Sequence, residues 1–199
     1  MHVSFDFWNT LFTSNPAFKD QRLQLFKSRT GASVEHIEHT FSTVGSWHNN
    51  QVLLKDGLAL TSPALCSLAV SILGAPYQEH SSLISDMEKL FLEYPPLPTG
   101  SQTVKEWRSR AVSASILSNT TFISGAVIRS FLLSENAEFD FMIFSDELGC
   151  GKPHAKAFQQ ILLELSLIGV ADQNQRIVHV GDDPNFDSSP IENIQSVFL

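Results

Sequence analysis

Residues 1–12 read MHVSFDFWNTLF, and this stretch decides the fold class. Apolar and polar side chains alternate from residue 2 to residue 7, and the pattern ends at Asn9, which predicts a short buried strand followed by a loop. Asp6 lies at the end of that strand. Because an isolated buried carboxylate is strongly unfavourable, we expect Asp6 to be paired, hydrogen-bonded or bound to a metal ion.

The composition indicates a folded protein and argues against two classes of partner. The chain has 199 residues, 43% of them hydrophobic, which suits one large domain or a core with an insertion. Its net charge is -8, and its 13 Lys and Arg residues are scattered, so we expect no binding to nucleic acid. No apolar run approaches the roughly 18 residues of a membrane helix, so we expect no membrane partner.

The start of the chain and its cysteines favour a reducing compartment. The first residues enter a strand directly and lack the charged start and apolar core of a signal peptide. Cys66 and Cys150 are far apart and belong to no CxxC pair, so the sequence suggests neither a disulfide framework nor a zinc site. We therefore expect a cytoplasmic protein.

Residues 15–94 contain helical patterns and no convincing strand. The clearest pattern is SSLISDMEKLFLEY, in which apolar residues recur at helical spacing and the charged residues face elsewhere. Three further stretches predict helices: NPAFKDQRLQLFKSRTG, SVEHIEHTFSTVGSW and TSPALCSLAVSILG. The prolines of YPPLPTG then exclude a helix, which predicts an inserted all-helical bundle that ends near residue 94.

Residues 95–199 alternate between helical and strand patterns. The predicted helices are SQTVKEWRSR, ISGAVIRSFLLS and PHAKAFQQILLELSLIG, and the predicted strands are AVSASILSN, FDFMIFSDE, QRIVHVGDD and SVFL. Such alternation implies right-handed crossovers and a mainly parallel sheet covered on both faces. The sequence therefore predicts an α/β fold with a doubly wound, Rossmann-like parallel sheet in which the first strand is central.

Polar residues follow the apolar part of each predicted strand. The first strand ends at Asp6, and the later ones lead to Ser118-Asn119-Thr120, to Gly151-Lys152-Pro153 and to Gly181-Asp182-Asp183, with Asp187 a turn further on. In a doubly wound sheet, ligands bind at the carboxyl ends of the strands, near the point where the strand order reverses. We therefore expect these groups to meet at one edge of the sheet.

The residue types in this set suit phosphoryl transfer. Asp6 is expected to attack phosphorus as a nucleophile and form an aspartyl phosphate that water hydrolyses. Mg2+ held by carboxylate oxygens of Asp6 and Asp182 would reduce the repulsion between nucleophile and phosphate. Ser118 offers a hydrogen-bond donor to the phosphate, and Lys152 offers a compact positive charge.

The order of these motifs resembles that of the haloacid dehalogenase (HAD) superfamily of hydrolases. FDFWNTL is similar to the nucleophile motif, ILSNT to the second, GKPHAKAF to the third and VGDDPNFD to the acidic fourth. The resemblance covers nearly the whole chain, and it implies a hydrolase core at residues 1–14 and 95–199 with a helical cap domain at residues 15–94. It also implies a magnesium-dependent phosphatase, with the Trp8 backbone carbonyl as a further metal ligand.

Trp8 is the position at which the sequence departs from this resemblance. Phosphatases of the family carry a second aspartate there, which protonates the leaving group and then activates water, and an indole cannot transfer protons in this way. Two alternatives therefore stay open beside the phosphatase. One is a weakly active or inactive protein with a binding or regulatory role, and the other is a haloacid dehalogenase, whose reaction needs no magnesium.

The sequence prediction assigns a role to each residue of the set. Asp6 and Lys152 are catalytic, and Ser118, Asn119 and Lys152 bind phosphate. The metal-site residues are Asp6, the Trp8 carbonyl, Asp182, Asp183 as an additional ligand and Asp187 in the outer shell. The expected partner is a small phosphorylated metabolite of unspecified identity, and the sequence leaves the oligomeric state open.

One stretch of the predicted cap invites a second interpretation. Trp47 and His48, beside Asn49 and Asn50, lie at a predicted helix end and are placed to contact a substrate. A packed aromatic side chain next to an exposed loop is the simpler interpretation.

Overall fold

A computed structural model describes residues 1–169 and 176–199 and contains a five-stranded parallel sheet with flanking helices. The strands are β1 (His2–Phe5), β2 (Phe12–Thr13), β3 (Leu97–Pro98), β4 (Ser113–Ser118), β5 (Phe141–Phe144), β6 (Ile177–Gly181) and β7 (Ile194–Phe198). The helices are α1 (Pro16–Thr30), α2 (Val34–Trp47), α3 (Leu54–Asp56), α4 (Ser62–Ile72), α5 (His80–Glu93), α6 (Gln102–Arg110), α7 (Gly125–Ser134), α8 (Ser145–Leu148), α9 (Ala155–Leu167) and α10 (Pro184–Asp187).

The sheet has the order β5-β4-β1-β6-β7, and every neighbouring pair is parallel. The chain runs outward from β1 to β4 and β5 and then returns to form β6 and β7 on the other side. The predicted α/β class, the parallel sheet and the central position of the first strand are therefore confirmed. All four residues of β1 are buried, as expected for a central strand of a parallel sheet.

The four helices predicted between residues 15 and 94 are present as α1, α2, α4 and α5. The side chain of Asn15 caps α1 by accepting a hydrogen bond from the Ala17 amide, and Ser33 caps α2 in the same way. The sequence pattern missed a π-helix at His48–Leu53 and the short α3 that follows it. A π-helix has no distinct hydrophobic spacing in so short a stretch, so periodicity cannot predict it.

A two-stranded antiparallel ribbon lies where the chain enters and leaves this helical segment, residues 15–94. Phe12 pairs with Pro98 and Thr13 pairs with Leu97, so the two predicted domain boundaries lie next to each other. Each strand of the ribbon has only two residues, which is too short for an alternating pattern. The ribbon supports the division at residues 14/15 and 94/95, which itself stays a prediction.

The second half of the chain follows the predicted alternation of helices and strands. The sequence also missed α8 and α10, which have four residues each; α8 follows β5 directly, and α10 begins three residues after the end of β6. Gln175, the first residue of one predicted strand, lies outside the described residues. No described helix is long and apolar enough to cross a membrane.

The helical segment and the sheet share one hydrophobic cluster. Phe91 of α5 lies edge-on to Phe131 of α7, with 6.2 Å between the ring centroids. Phe7, directly after β1, belongs to the same cluster and packs edge-on against Phe131 at 6.4 Å. This contact fixes the helices near the carboxyl end of β1, where Asp6 lies.

Candidate active site

A cavity of about 280 Å³ lies at the carboxyl ends of the central strands. Its lining residues are Asp6, Trp8, Asn9, Asn49, Asn119, Thr121, Lys152, Asp182, Asp183, Phe186 and Asp187. The structure therefore brings together seven of the eight residues that the sequence singled out. Ser118 is the exception, since it is buried and does not line the cavity.

Lys152 is the centre of a buried charged network. Its Nζ donates hydrogen bonds to Asp6 Oδ1 at 2.8 Å and to Asp187 Oδ1 at 2.5 Å, and it lies 3.4 Å from His179 Nε2. His179 Nε2 also lies 3.1 Å from Asp187 Oδ1, and its Nδ1 lies 3.2 Å from Ser4 Oγ. Lys152, Asp187 and His179 are each at most 2% exposed. Asp6 is thus paired, as predicted from its position at the end of a buried strand.

The network shifts the pKa values of its members in opposite directions. Burial raises the pKa of Asp6, and the charge of Lys152 only partly opposes this effect. Burial also disfavours a charged Asp187, but Lys152 and His179 outweigh it and lower the pKa of Asp187. Burial would lower the pKa of Lys152, yet Asp6 and Asp187 together raise it. Lys152 therefore stays positively charged, and Asp187 is its firmly ionised partner.

Asp187 approaches the sheet closely because residue 181 is a glycine. A Cβ atom on Gly181 would collide with the Asp187 carboxylate. The second oxygen of Asp187, Oδ2, accepts a hydrogen bond from the backbone amide of Asp183 at 3.0 Å. The position of Asp187 is therefore fixed by Lys152, by the strand end and by the first turn of α10.

Three carboxylates form a group that suits a metal ion. One oxygen from each of Asp6, Asp182 and Asp187 lies within 4.8 Å of the others. In their ionised form, which a bound cation favours, the three carboxylates leave a surplus of two negative charges beside the single ammonium group of Lys152. Burial, followed by the charge of Asp187, raises the pKa of Asp182. Carboxylate oxygens are the ligands that Mg2+ prefers, so this group fits a divalent cation.

The other predicted metal ligands differ in how they are placed. The backbone carbonyl of Trp8 accepts no hydrogen bond from residues 1–169 or 176–199, so it is available to a metal ion. Asp183 lines the cavity, but its Oδ1 accepts hydrogen bonds from the backbone and side-chain nitrogens of Asn185, both at 2.9 Å. Asp183 thereby caps α10 and does not belong to the carboxylate group.

The two predicted phosphate binders before α7 also have other contacts. Ser118 Oγ donates only a long hydrogen bond, 3.4 Å, to the Asn119 carbonyl. Asn119 uses both ends of its side-chain amide on the backbone of Lys152, accepting from its amide and donating to its carbonyl, each at 2.9 Å. Asn119 therefore positions Lys152. Phosphate binding by Ser118 and Asn119 stays a prediction.

Trp8 fills the position where an acid would be expected. Its indole is half-buried and lies edge-on to Phe7, at 4.9 Å between centroids, and to Phe91, at 6.1 Å. It also lines the cavity. Trp8 thus joins the end of β1 to helix α5 through aromatic contacts and brings no acidic group to the cavity.

Sequence reasoning missed His179, and it gave Asn49 no role of its own in the cap stretch. His179 interrupts the apolar β6, and a histidine inside a fully buried strand is a signal of a buried polar partner. In the cap stretch, Trp47 is 43% exposed and His48 is buried, whereas Asn49 lines the cavity. The π-helix determines which of these neighbours faces the site, and periodicity did not predict it.

A comparison with known proteins identifies relatives of the chain. The family model of haloacid dehalogenase-like hydrolases matches residues 1–194. No curated protein matches the chain.

Solved structures share the fold at low sequence identity. The 2-haloacid dehalogenase from Pseudomonas syringae pv. Tomato DC3000 is 21% identical, covers 92% of this chain and 78% of its own, and has a TM-score of 0.57. The HAD phosphatase from Thermococcus onnurineus is 20% identical, covers 93% and 78%, and has a TM-score of 0.58. A putative HAD-hydrolase from Bacillus subtilis bound to magnesium is 13% identical, covers 93% and 79%, and has a TM-score of 0.61.

Proposed function

The chain belongs to the haloacid dehalogenase-like hydrolases, and within that family we propose that it is a magnesium-dependent phosphatase acting on a small phosphate ester. The observation that carries the proposal is the group of Asp6, Asp182 and Asp187 carboxylates beside Lys152. Its surplus of two negative charges would repel an anionic substrate unless a divalent cation were bound. The same surplus argues against a metal-free dehalogenase that binds an anionic haloacid.

The proposed reaction begins with Asp6. Its Oδ1 is held by Lys152, and its Oδ2 has no hydrogen-bond partner among the described residues and is not buried, so Oδ2 is open to the cavity. Attack of this oxygen on phosphorus forms an aspartyl phosphate while the bond from phosphorus to the leaving alkoxide breaks. Water then attacks the same phosphorus, releases inorganic phosphate and restores the Asp6 carboxylate.

The metal would be held by Asp6, Asp182 and the Trp8 carbonyl, with Asp187 behind them. Bound Mg2+ would neutralise charge between the nucleophile and the phosphate and stabilise the transition state. Lys152 keeps its positive charge next to Asp6 and is the cation that the chain itself provides for the phosphate oxygens. Asn119 holds the Lys152 backbone in place for this contact.

The cavity suits a small substrate. Its volume of about 280 Å³ lies near the lower end of ligand-binding cavities, which commonly measure about 300 Å³ or more. Among the lining residues, Asn49 alone comes from the helical segment, and it offers an uncharged amide to the leaving group. The substrate we propose is therefore a small phosphorylated metabolite whose leaving group is polar and uncharged.

A weakly active or non-catalytic protein is the second candidate, and Trp8 is the observation that favours it. Without an acid at this position, the leaving group must depart as an alkoxide or take its proton from water. Esters with good leaving groups, such as aryl or acyl phosphates, should then react much faster than alkyl phosphates.

The first test is a screen of the purified protein against phosphomonoesters, with magnesium and with a chelator. Activity that is absent in every reaction, or unchanged by the chelator, would contradict the proposal.

The role of Trp8 is tested by a matched pair of variants. We predict that Trp8→Asp raises kcat/KM for glycerol phosphate more than for phenyl phosphate, because general acid catalysis is typically worth ~100 to ~10,000-fold. Trp8→Asn is the control, because it loses the same aromatic contacts but supplies no proton. If both variants fold, bind magnesium and stay inactive on every ester, a non-catalytic role becomes the better proposal.

A further inference from the structure

A second cavity, of about 330 Å³, lies in the helical segment and shares no lining residue with the candidate active site. Its lining residues are Lys19, Arg22, Glu38, Phe41, Ser42 and Phe122. They come from α1, from α2 and from the segment before α7. We call this space the Arg22 cavity.

Arg22 is the unusual residue of this cavity. Its guanidinium lies over the ring of Phe41, 4.7 Å from the centroid, and 5.7 Å from the centroid of Phe18. Within residues 1–169 and 176–199 it makes no hydrogen bond and no salt bridge, and its Nε is buried without a partner. The aromatic rings therefore hold the cation in position, but none of its fork of five donors is used.

The charge of Arg22 is not balanced within the cavity. The acidic side chain there, Glu38, is engaged by Lys19 at 2.8 Å. Lys19 and Glu38 cancel each other, so the cavity keeps one net positive charge in a chain whose net charge is -8. Burial lowers the pKa of Arg22, but an arginine side chain stays protonated in proteins.

This arrangement is costly unless something else binds to the cation. Nε is buried without a hydrogen bond, and a buried polar group in that state typically costs about 1–3 kcal/mol. An arginine that serves only to stabilise a fold normally donates to carboxylates or carbonyls. An anion in the cavity would supply the missing acceptor to Nε and accept from a terminal nitrogen at the same time, and a planar carboxylate matches that fork in a bidentate way.

We propose that the Arg22 cavity binds a small organic monoanion through its carboxylate. The carboxylate is held by Arg22, and the single net positive charge of the cavity selects a single negative charge. The rings of Phe41 and Phe122, which lie edge-on at 4.8 Å between centroids, offer an apolar surface to the body of the ligand. Ser42 adds a hydroxyl at the same cavity. This site is independent of the proposed phosphatase activity.

The test uses benzoate as the probe and benzamide as its uncharged analogue of the same shape. Isothermal titration calorimetry of the wild-type protein should show one benzoate site with a dissociation constant of about 1 mM or tighter and no benzamide site. Arg22→Met should weaken benzoate binding about tenfold or more, because it keeps the stem and removes the charge. The matched control is Arg29→Met on the same helix, whose guanidinium is paired with Asp86 at 2.9 Å and which should bind benzoate as wild type does.

The melting temperature separates a ligand-binding role from a structural one. Replacing a buried group that lacks hydrogen bonds by an apolar side chain is close to neutral or stabilising, so Arg22→Met should melt at or above the wild-type temperature. Three results would each overturn the proposal. The first is that wild type binds no benzoate, and the second is that wild type and Arg22→Met bind it equally. The third is a large loss of stability in both Arg22→Met and Arg22→Gln.

Discussion

The central strand β1 has a buried polar network at each of its ends, and the two networks differ in charge. At the amino end, the ring nitrogens of His2 lie 2.8 Å from the hydroxyls of Ser113 and of Ser115. At the carboxyl end, Asp6 belongs to the charged network around Lys152. The first network consists of a neutral ring and hydroxyls, and the second carries surplus negative charge and lines a cavity.

This difference separates a structural network from a chemical one. His2 and its two serines satisfy each other, so the amino end of the sheet needs no ligand. The carboxyl end pairs Lys152 with two carboxylates but leaves one oxygen of Asp6 and the Trp8 carbonyl without a hydrogen-bond partner among the described residues. A parallel sheet directs chemistry to the carboxyl ends of its strands, and here the electrostatics of the two ends agree with that rule.

The largest expected effect is that of Asp6→Asn on activity. Asparagine keeps the size of the side chain but lacks the anionic nucleophile, so kcat/KM should fall about a thousandfold or more. The fold should survive because Lys152 keeps its pairing with Asp187. Initial rates on phenyl phosphate with magnesium would measure the effect.

The control for this variant is Asp86→Asn, which removes the charge of a half-buried carboxylate paired with Arg29 and Lys89 in the helical segment. It should keep the wild-type rate. If folded Asp6→Asn hydrolysed phenyl phosphate at the wild-type rate, the carboxyl end would have no chemical role. The proposed contrast between the two ends of β1 would then be wrong.

The carboxyl-end site was largely predictable from the sequence, because its members follow apolar runs. One run of buried strand residues stops at Asp6, and another stops at Gly181 and Asp182. The end of each run places the polar residue there at the edge of the sheet, even when the details of the fold are unknown. Lys152 was harder, since it lies eight residues after the end of β5 and the short α8 intervenes. Its place after the third predicted strand and the resemblance of GKPHAKAF to a family motif together marked it.

The amino-end network could not be predicted in the same way. His2 faces Ser113 because β1 and β4 are paired in that register, and register between strands more than a hundred residues apart is not encoded in local periodicity. The serines looked like ordinary members of an alternating strand. His179 and Asn49 were missed for a similar reason. The partners of His179 and the π-helix that contains Asn49 are properties of the folded chain.

The next largest effect is the loss of stability in Lys152→Met. Removing the ammonium leaves the carboxylates of Asp6 and Asp187 buried without their cation, and breaking a buried pair in this way typically costs about 3–5 kcal/mol. Urea denaturation at pH 7 would measure the difference in the free energy of unfolding. Magnesium should recover part of the loss, because it binds the folded carboxylate group in preference to the unfolded chain.

Lys156→Met is the matched control for Lys152→Met, because Lys156 is exposed on α9 and should change stability by less than about 0.5 kcal/mol. A Lys152→Met protein as stable as this control would mean that the carboxyl-end network contributes nothing to folding. The two ends of β1 would then differ in their contribution to stability as well as in their charge.

The smallest expected effect concerns the amino end and the pH dependence of stability. Burial lowers the pKa of His2 to about 4 from an ordinary value of 6.5, although the charge of Asp140 opposes this shift. The unfolded chain therefore binds a proton at His2 between these two pH values while the folded chain does not, so stability is fully present above pH 6.5 and is lost as the pH falls towards 4. An interval of about 2.5 pH units corresponds to at most about 3.4 kcal/mol.

The matched variant is His2→Gln, whose amide can still bond to Ser113 and Ser115 but does not titrate. Between pH 6.5 and 4 the free energy of unfolding of the wild type should fall relative to that of His2→Gln, while above pH 7 the difference between the two should stay constant. Parallel curves over the whole range would show that His2 takes up a proton equally in the folded and the unfolded chain. The amino end would then become charged below pH 6.5 and would no longer be the neutral counterpart of the Asp6 site.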